Sequence, residues 1–282
     1  MARGKIASST VSAFALVLLG GCATSAATGE TSDASAELQG PTAEEIATIA
    51  RADALTRANF WNKHYNLHPT DREVSLSFIR ALRDIGSYER AAEVAGLATV
   101  THPLDFDLHM ELGRAEFSEG NPAEAIQAFV RASAINPDAA GPFAAVARIY
   151  DADGQHDVAQ QTYREALQRD RNRPATLSNY GLSLALSDRL EEAEDVMREA
   201  VALEDATVQV RQNFALVLGL LGKFDEAREV AAKDAPARLA DRNVEFLANM
   251  IGEDARFQDI ANRSVTAPAE TPAPASDIPV AA

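Results

Sequence analysis

The chain has 282 residues, 46% of them apolar, enough for a large buried interior, and its 42 acidic against 26 basic residues give a formal net charge of −16. So strong an acidic surplus repels nucleic acid and anionic lipid headgroups, and argues against both as partners. A single cysteine, Cys22, rules out an internal disulfide.

The N-terminus reads as an export signal. Arg3 and Lys5 form a short basic region, an uncharged stretch follows with its apolar centre at 13–19, and Leu19-Gly20-Gly21-Cys22 closes it. The run is too short and wrongly flanked for a transmembrane helix, so residues 1–21 are expected to be a cleaved signal peptide. Its end resembles the lipobox of bacterial lipoproteins, an aliphatic residue and two small residues before a Cys. That resemblance implies that Cys22 carries lipid and becomes the first mature residue. Ala23 stands where an Asp commonly retains Gram-negative lipoproteins at the inner membrane, which implies the outer membrane, periplasmic face. Removing Arg3 and Lys5 with the signal takes the charge from −16 to −18. Residues 22–40 are small and polar with Leu38 as the one large aliphatic, and are expected to be a lipidated, disordered tether.

From residue 41 onward the chain repeats itself. Gly86, Gly120, Gly154, Asp188 and Gly222 stand 34 residues apart; so do Ala91, Ala125, Ala159, Ala193 and Ala227, then Ala98, Ala132, Ala166 and Ala200, and Pro69, Pro103 and Pro137. Within one unit, Phe143, Val146, Ala147 and Tyr150 form the apolar stripe of a first helix, Gly154 sits in the turn, and Ala159, Tyr163 and Ala166 form the stripe of a second. Period and pattern resemble the tetratricopeptide repeat (TPR). Five repeats are expected at 72–105, 106–139, 140–173, 174–207 and 208–241. A degenerate helical unit at 41–71 precedes them, in phase through Trp61 and Pro69 but with Arg57 at a usual Ala. The predicted fold is all-α, a TPR solenoid of antiparallel helix pairs wound into a right-handed superhelix. The small residues, including Gly113, Ala147, Gly181 and Ala215 at position eight (where the first repeat has Ile79), mark close helix crossings; Phe78, Leu112, Val146, Tyr180 and Phe214 fill the space beside them. Residues 242–263 are expected to add a capping helix, and the Ala/Pro-rich segment 264–282 a disordered tail.

No catalytic chemistry is legible. His64, His68, His102, His109 and His156 occupy unrelated repeat positions without a metal-ligand motif, and no phosphate loop or nucleophile elbow occurs. Glu191, Glu192, Glu194 and Asp195 read as a solvated helix start. We therefore expect no enzyme, no cofactor and no metal.

A binding surface is legible. By the TPR resemblance, first helices line a concave groove through positions two, five, six, nine, twelve and thirteen. Position nine holds Arg80, Arg114, Arg148, Leu182 and Leu216; position six holds Ser77, Glu111, Ala145, Asn179 and Asn213. Guanidinium forks suit carboxylates, and the resemblance implies that Asn at position six holds a ligand backbone. Arg80, Arg114, Arg148, Asn179, Leu182, Asn213 and Leu216 are the expected partner-binding residues, with Leu186 and Leu220 extending the apolar end. The expected ligand is a protein segment, acidic at one end and apolar at the other. The alternative is that the arginines pair with Glu73, Asp84 and Glu111.

Two stretches, 179–193 (Asn179-Tyr180-Gly181-Leu182 to Glu192-Ala193) and 210–227 (Val210-Arg211-Gln212-Asn213 to Glu226-Ala227), together with the lipobox, resemble the TadD family of TPR lipoproteins from the Flp/Tad (tight-adherence) pilus assembly system. The resemblance spans about 100–235. Asp188 departs from the family's Gly, and the N-terminal half is only generically similar. It implies a pilotin or assembly factor that binds the outer-membrane secretin or another pilus component, attached to the membrane through lipid. The rival expectations are a TPR lipoprotein in general envelope biogenesis, serving outer-membrane protein insertion or peptidoglycan enzymes, and an enzyme.

Overall fold

The computed structural model describes residues 40–234 and, beyond them, positions 236, 238, 241, 242, 244, 245, 248 and 249. The signal peptide 1–21, the tether 22–40 with Cys22 (save its last residue) and the tail 264–282 lie outside the described residues. The chain divides after Pro41 into two units, and all twelve helices among the described residues belong to the second.

Two helices, α1 (Ala43–Ile49) and α2 (Ala54–Leu67), lead the array. Five pairs follow. The first helices are α3 (Arg72–Asp84), α5 (Phe106–Glu119), α7 (Ala140–Ala152), α9 (Pro174–Leu186) and α11 (Val208–Leu220). The second helices are α4 (Tyr88–Thr101), α6 (Pro122–Ile135), α8 (His156–Arg169), α10 (Leu190–Ala202) and α12 (Phe224–Ala231). Every first helix opens on the predicted repeat boundary, and the second helices keep the same 34-residue step. The α2 helix opens one period before α4, so the degenerate unit is a full second helix behind a truncated first one.

Local chemistry sets these ends. Asp71, Asp105 and Thr207 accept a hydrogen bond from the backbone N–H three residues on, capping α3, α5 and α11. Pro122 and Pro174 occupy the first turn of α6 and α9, where a missing N–H costs nothing. Each first helix closes with a backbone bond spanning five residues, such as Ser87 N–H to Leu82 C=O and Arg189 N–H to Leu184 C=O. That closure needs a left-handed residue, and Gly86, Gly120, Gly154 and Gly222 supply it. Asp188 adopts it too, at φ 60°, the one non-glycine with positive φ among the described residues. The departure from the glycine pattern is thus one of residue type and leaves the turn unchanged.

Packing follows the small residues. Ala91, Ala125, Ala159, Ala193 and Ala227 are all fully buried at the crossing of each pair. A Cβ on Gly113 would lie 2.6 Å from the Phe129 ring, and one on Gly181 2.6 Å from Met197 Cγ. Successive first helices touch (α3 with α5, α5 with α7, α7 with α9, α9 with α11), whereas second helices touch only first helices. The first helices therefore form a continuous inner wall. Past α12, positions 241, 242, 244, 245, 248 and 249 are helical, and Val244 is buried in the last core cluster with Phe214, Leu218 and Val230. The rest of the expected capping helix 242–263 lies outside the described residues. No helix among the described residues is long and apolar enough to cross a membrane.

Gly113→Ala is expected to cost about 1–3 kcal/mol, because the buried Phe129 ring cannot retreat. Gly141→Ala, whose Cβ would meet Met110 Cε at 3.6 Å, is expected to be neutral or stabilising. Urea unfolding of both variants checks this; equal stabilities would contradict the crossing geometry.

Candidate ligand groove

The inner wall brings together three of the seven expected groove residues. Arg114 of α5, Arg148 of α7 and Asn179 of α9 line one cavity of about 300 Å³, with Arg83 of α3 and Arg173, the residue before α9. Its apolar floor includes Met110 and Phe129, and no acidic side chain lines it. Arg83 holds position twelve of its repeat, a groove position, so the register carried a signal for it. Arg173 lies outside the groove positions, and the register gave none.

Arg80 is placed elsewhere. It borders a separate cavity of about 280 Å³ beside Trp61 and Arg57. Glu111 on α5 governs it, being 2% exposed and wedged against α3. One carboxylate oxygen accepts from Arg80 Nε at 3.0 Å and Arg114 Nη1 at 2.8 Å, the other from Arg83 Nη1 at 2.6 Å. The pairing alternative therefore holds for Arg80 and Arg114, through Glu111. It does not hold through Glu73 or Asp84, which pair with Arg72 and Arg57. Arg148 makes no ion pair among the described residues; its guanidinium carbon lies 5.8 Å from the centroid of the Phe117 ring.

The far end of the expected line is reorganised. Asn213 donates from Nδ2 to Ser178 Oγ at 3.0 Å and accepts from Gln209 Nε2 at 2.8 Å, so its amide braces α9 against α11 instead of standing open. Leu182 is half-buried against the core that holds Leu184 and Phe214. Leu216 is exposed, as are Leu220 and Leu186, the last at 65%.

The acidic group at the start of α10 also departs from expectation. Glu191, Glu192 and Asp195 are solvated. Glu194 is buried, taking both oxygens to Lys223 Nζ at 2.7 and 2.6 Å and one to Arg198 Nη2 at 2.5 Å. The Lys223 bond, assisted by Arg198 and opposed by burial, holds its carboxyl below the ordinary range. Deeper in the array, Asp151 accepts from Ser183 Oγ at 2.6 Å and lies 3.0 Å from His156 Nδ1. Burial first, then this carboxylate, pushes the Tyr163 hydroxyl well up, so it stays protonated. Among the described residues no group of three His, Cys, Asp or Glu is placed to hold a metal ion.

Two sequence models of the tetratricopeptide repeat match residues 76–143 and 116–179. The array is a TPR solenoid. The fold alone is also shared with a thermophilic TPR protein of Thermus thermophilus, with a TM-score of 0.54 at 21% identity, over 63% of this chain and 98% of that one. Among curated proteins, the TPR region is 33% identical over 91 residues to an uncharacterised protein, y4yS, of Sinorhizobium fredii, covering 32% of this chain and 50% of that one. It is 30% identical over 129 residues to the type IV pilus assembly protein PilF of Pseudomonas aeruginosa, covering 45% and 51%. The chain thus spans about half the length of these two relatives. TPR arrays are scaffolds for binding protein partners.

Glu194 generates a pH prediction. Its carboxyl is depressed in the folded state, so the stability it contributes is fully present above its ordinary value of 4.5 and is lost as pH falls through the folded value. Between about pH 5 and about pH 3, wild type is expected to lose more unfolding free energy than Glu194→Gln. Equal losses in urea titrations would show that Lys223 and Arg198 contribute nothing through this carboxylate.

Proposed function

We propose that this chain is a lipid-anchored assembly factor for a pilus secretion machine, gripping a segment of a machine component, most directly the secretin, along the inner wall of its TPR solenoid. The observation that carries the reading is the 30% identity over 129 residues to a type IV pilus assembly protein. Three features are consistent with it. The Leu19-Gly20-Gly21-Cys22 lipobox would supply attachment at the outer membrane. The motifs at 179–193 and 210–227 resemble the Flp/Tad assembly lipoprotein. The wall offers a basic cavity beside exposed Leu186, Leu216 and Leu220, a surface for a segment of mixed character. On this reading the lipid carries the solenoid to the right membrane, and the solenoid holds the cargo, with no covalent chemistry.

Cys22→Ser is the test. Wild type is expected to fractionate with the outer membrane and raise the amount of secretin recovered there. Cys22→Ser is expected to fold but to be released or to remain unprocessed, with secretin recovery falling to that of a deletion strain. A processed, membrane-bound Cys22→Ser protein would contradict the anchor. Secretin recovery indifferent to the deletion would contradict the assembly role.

A further inference from the structure

We propose that the cavity between α5, α7 and α9 is a carboxylate-recognition site for an acidic segment of the partner protein, with Arg148 as its principal contact. This rests on reading the inner wall as the partner-binding surface and specifies what that surface selects.

Charge selects the ligand. Four arginines, Arg83, Arg114, Arg148 and Arg173, line a cavity with no acidic lining, in a chain whose net charge is −16. Their compensation is incomplete. Glu111 is one carboxylate shared among Arg80, Arg83 and Arg114. Arg173 has a single long contact, 3.6 Å to Asp170. Arg148 has only the Phe117 ring. A concave basic site inside an acidic molecule focuses field lines, so an acidic ligand is repelled by the rest of the surface and drawn here.

The shape adds selectivity. A volume of about 300 Å³ fits one or two side chains of a peptide better than a cofactor. Met110 and Phe129, both buried, give the cavity an apolar side that lowers the local dielectric and strengthens ion pairs formed beside it. The side-chain amide of Asn179 has no partner among the described residues and offers its Nδ2 donors and Oδ1 acceptor to a peptide backbone laid across the wall. Phosphate could satisfy the arginines and accept from the Asn179 amide, but it has no methylenes to lay against Met110 and Phe129, which favours a glutamate side chain over a bare anion.

The test titrates the full-length chain in detergent with a peptide of about ten residues alternating glutamate and alanine, its glutamine counterpart, and inorganic phosphate as competitor. Arg148→Ala is expected to weaken the acidic peptide roughly tenfold, Arg148→Glu to abolish binding, and the glutamine peptide to bind at least tenfold more weakly than the acidic one. Arg131→Ala, an exposed arginine on α6 away from the wall, is expected to leave affinity unchanged. Circular dichroism and thermal melting check that each variant is folded; Arg148 is exposed, so its replacement is expected to leave the fold intact. Failure of wild type to bind the acidic peptide, equal binding by Arg148→Glu, or phosphate competing as well as the peptide would each overturn the proposal. Secretin recovery separates the two readings. If Arg148→Glu supports it as wild type does, the carboxylate site falls and the assembly role stands. If wild type does not support it, the assembly role falls, and the peptide titration alone judges the site.

Discussion

Two helices cross closely within each pair, and the register of the whole solenoid follows from that crossing. Ala91, Ala125, Ala159, Ala193 and Ala227 are fully buried at these crossings, and Gly113 and Gly181 lie directly under Phe129 and Met197. Side chains this small let the helices of each pair approach closely, and the repeated approach keeps each first helix against the next. Because first helices touch one another and second helices do not, position nine of one repeat lies along the wall from position nine of the next. The cavity that gathers Arg114, Arg148 and Asn179 is a consequence of that register. The same residues at the same sequence spacing, on helices held farther apart, would not converge.

Charge in this molecule works at nearest-neighbour range, as packing does. Glu111 ties α5 back to α3, Glu194 ties α10 forward to the Lys223 turn before α12, and Arg72 of α3 reaches Asp107 of α5 at 2.7 Å. Each of these acids joins one repeat to the next and none reaches further, the pattern expected of a solenoid whose stability is a sum of repeats and their interfaces. Uncompensated cations remain on both faces: Arg131 on α6 has no ion pair among the described residues, and Arg148 on the inner wall has only the Phe117 ring, but the wall is where several arginines share one cavity.

Much of this was legible in the sequence because periodicity encodes packing directly. A buried alanine recurs every 34 residues for the same reason that helices start every 34 residues, so boundaries, turns and small positions could be read with no coordinates. Asp188 shows the limit of reading by residue type, since it occupies the left-handed position the glycines fill without changing the turn. The groove was legible only in part. Register placed Arg80, Arg114 and Arg148 in one line, but could not say that a buried Glu111 would claim the first two while Glu73 and Asp84 turned to Arg72 and Arg57. Likewise Asn213 is engaged by Ser178 and Gln209, and Leu182 leans into the core. These outcomes depend on side-chain direction across a repeat interface, which a one-dimensional pattern does not carry.

On the proposed function, the partner lies along the inner wall. Site-specific photo-crosslinking in living cells tests it most directly. A photoreactive amino acid at Ala144, on the wall of the cavity in α7, is predicted to give a discrete adduct with the secretin, while the same group at Arg131 on α6 gives none. An adduct from position 131 with none from 144 would place the partner on the outer face and contradict the claim.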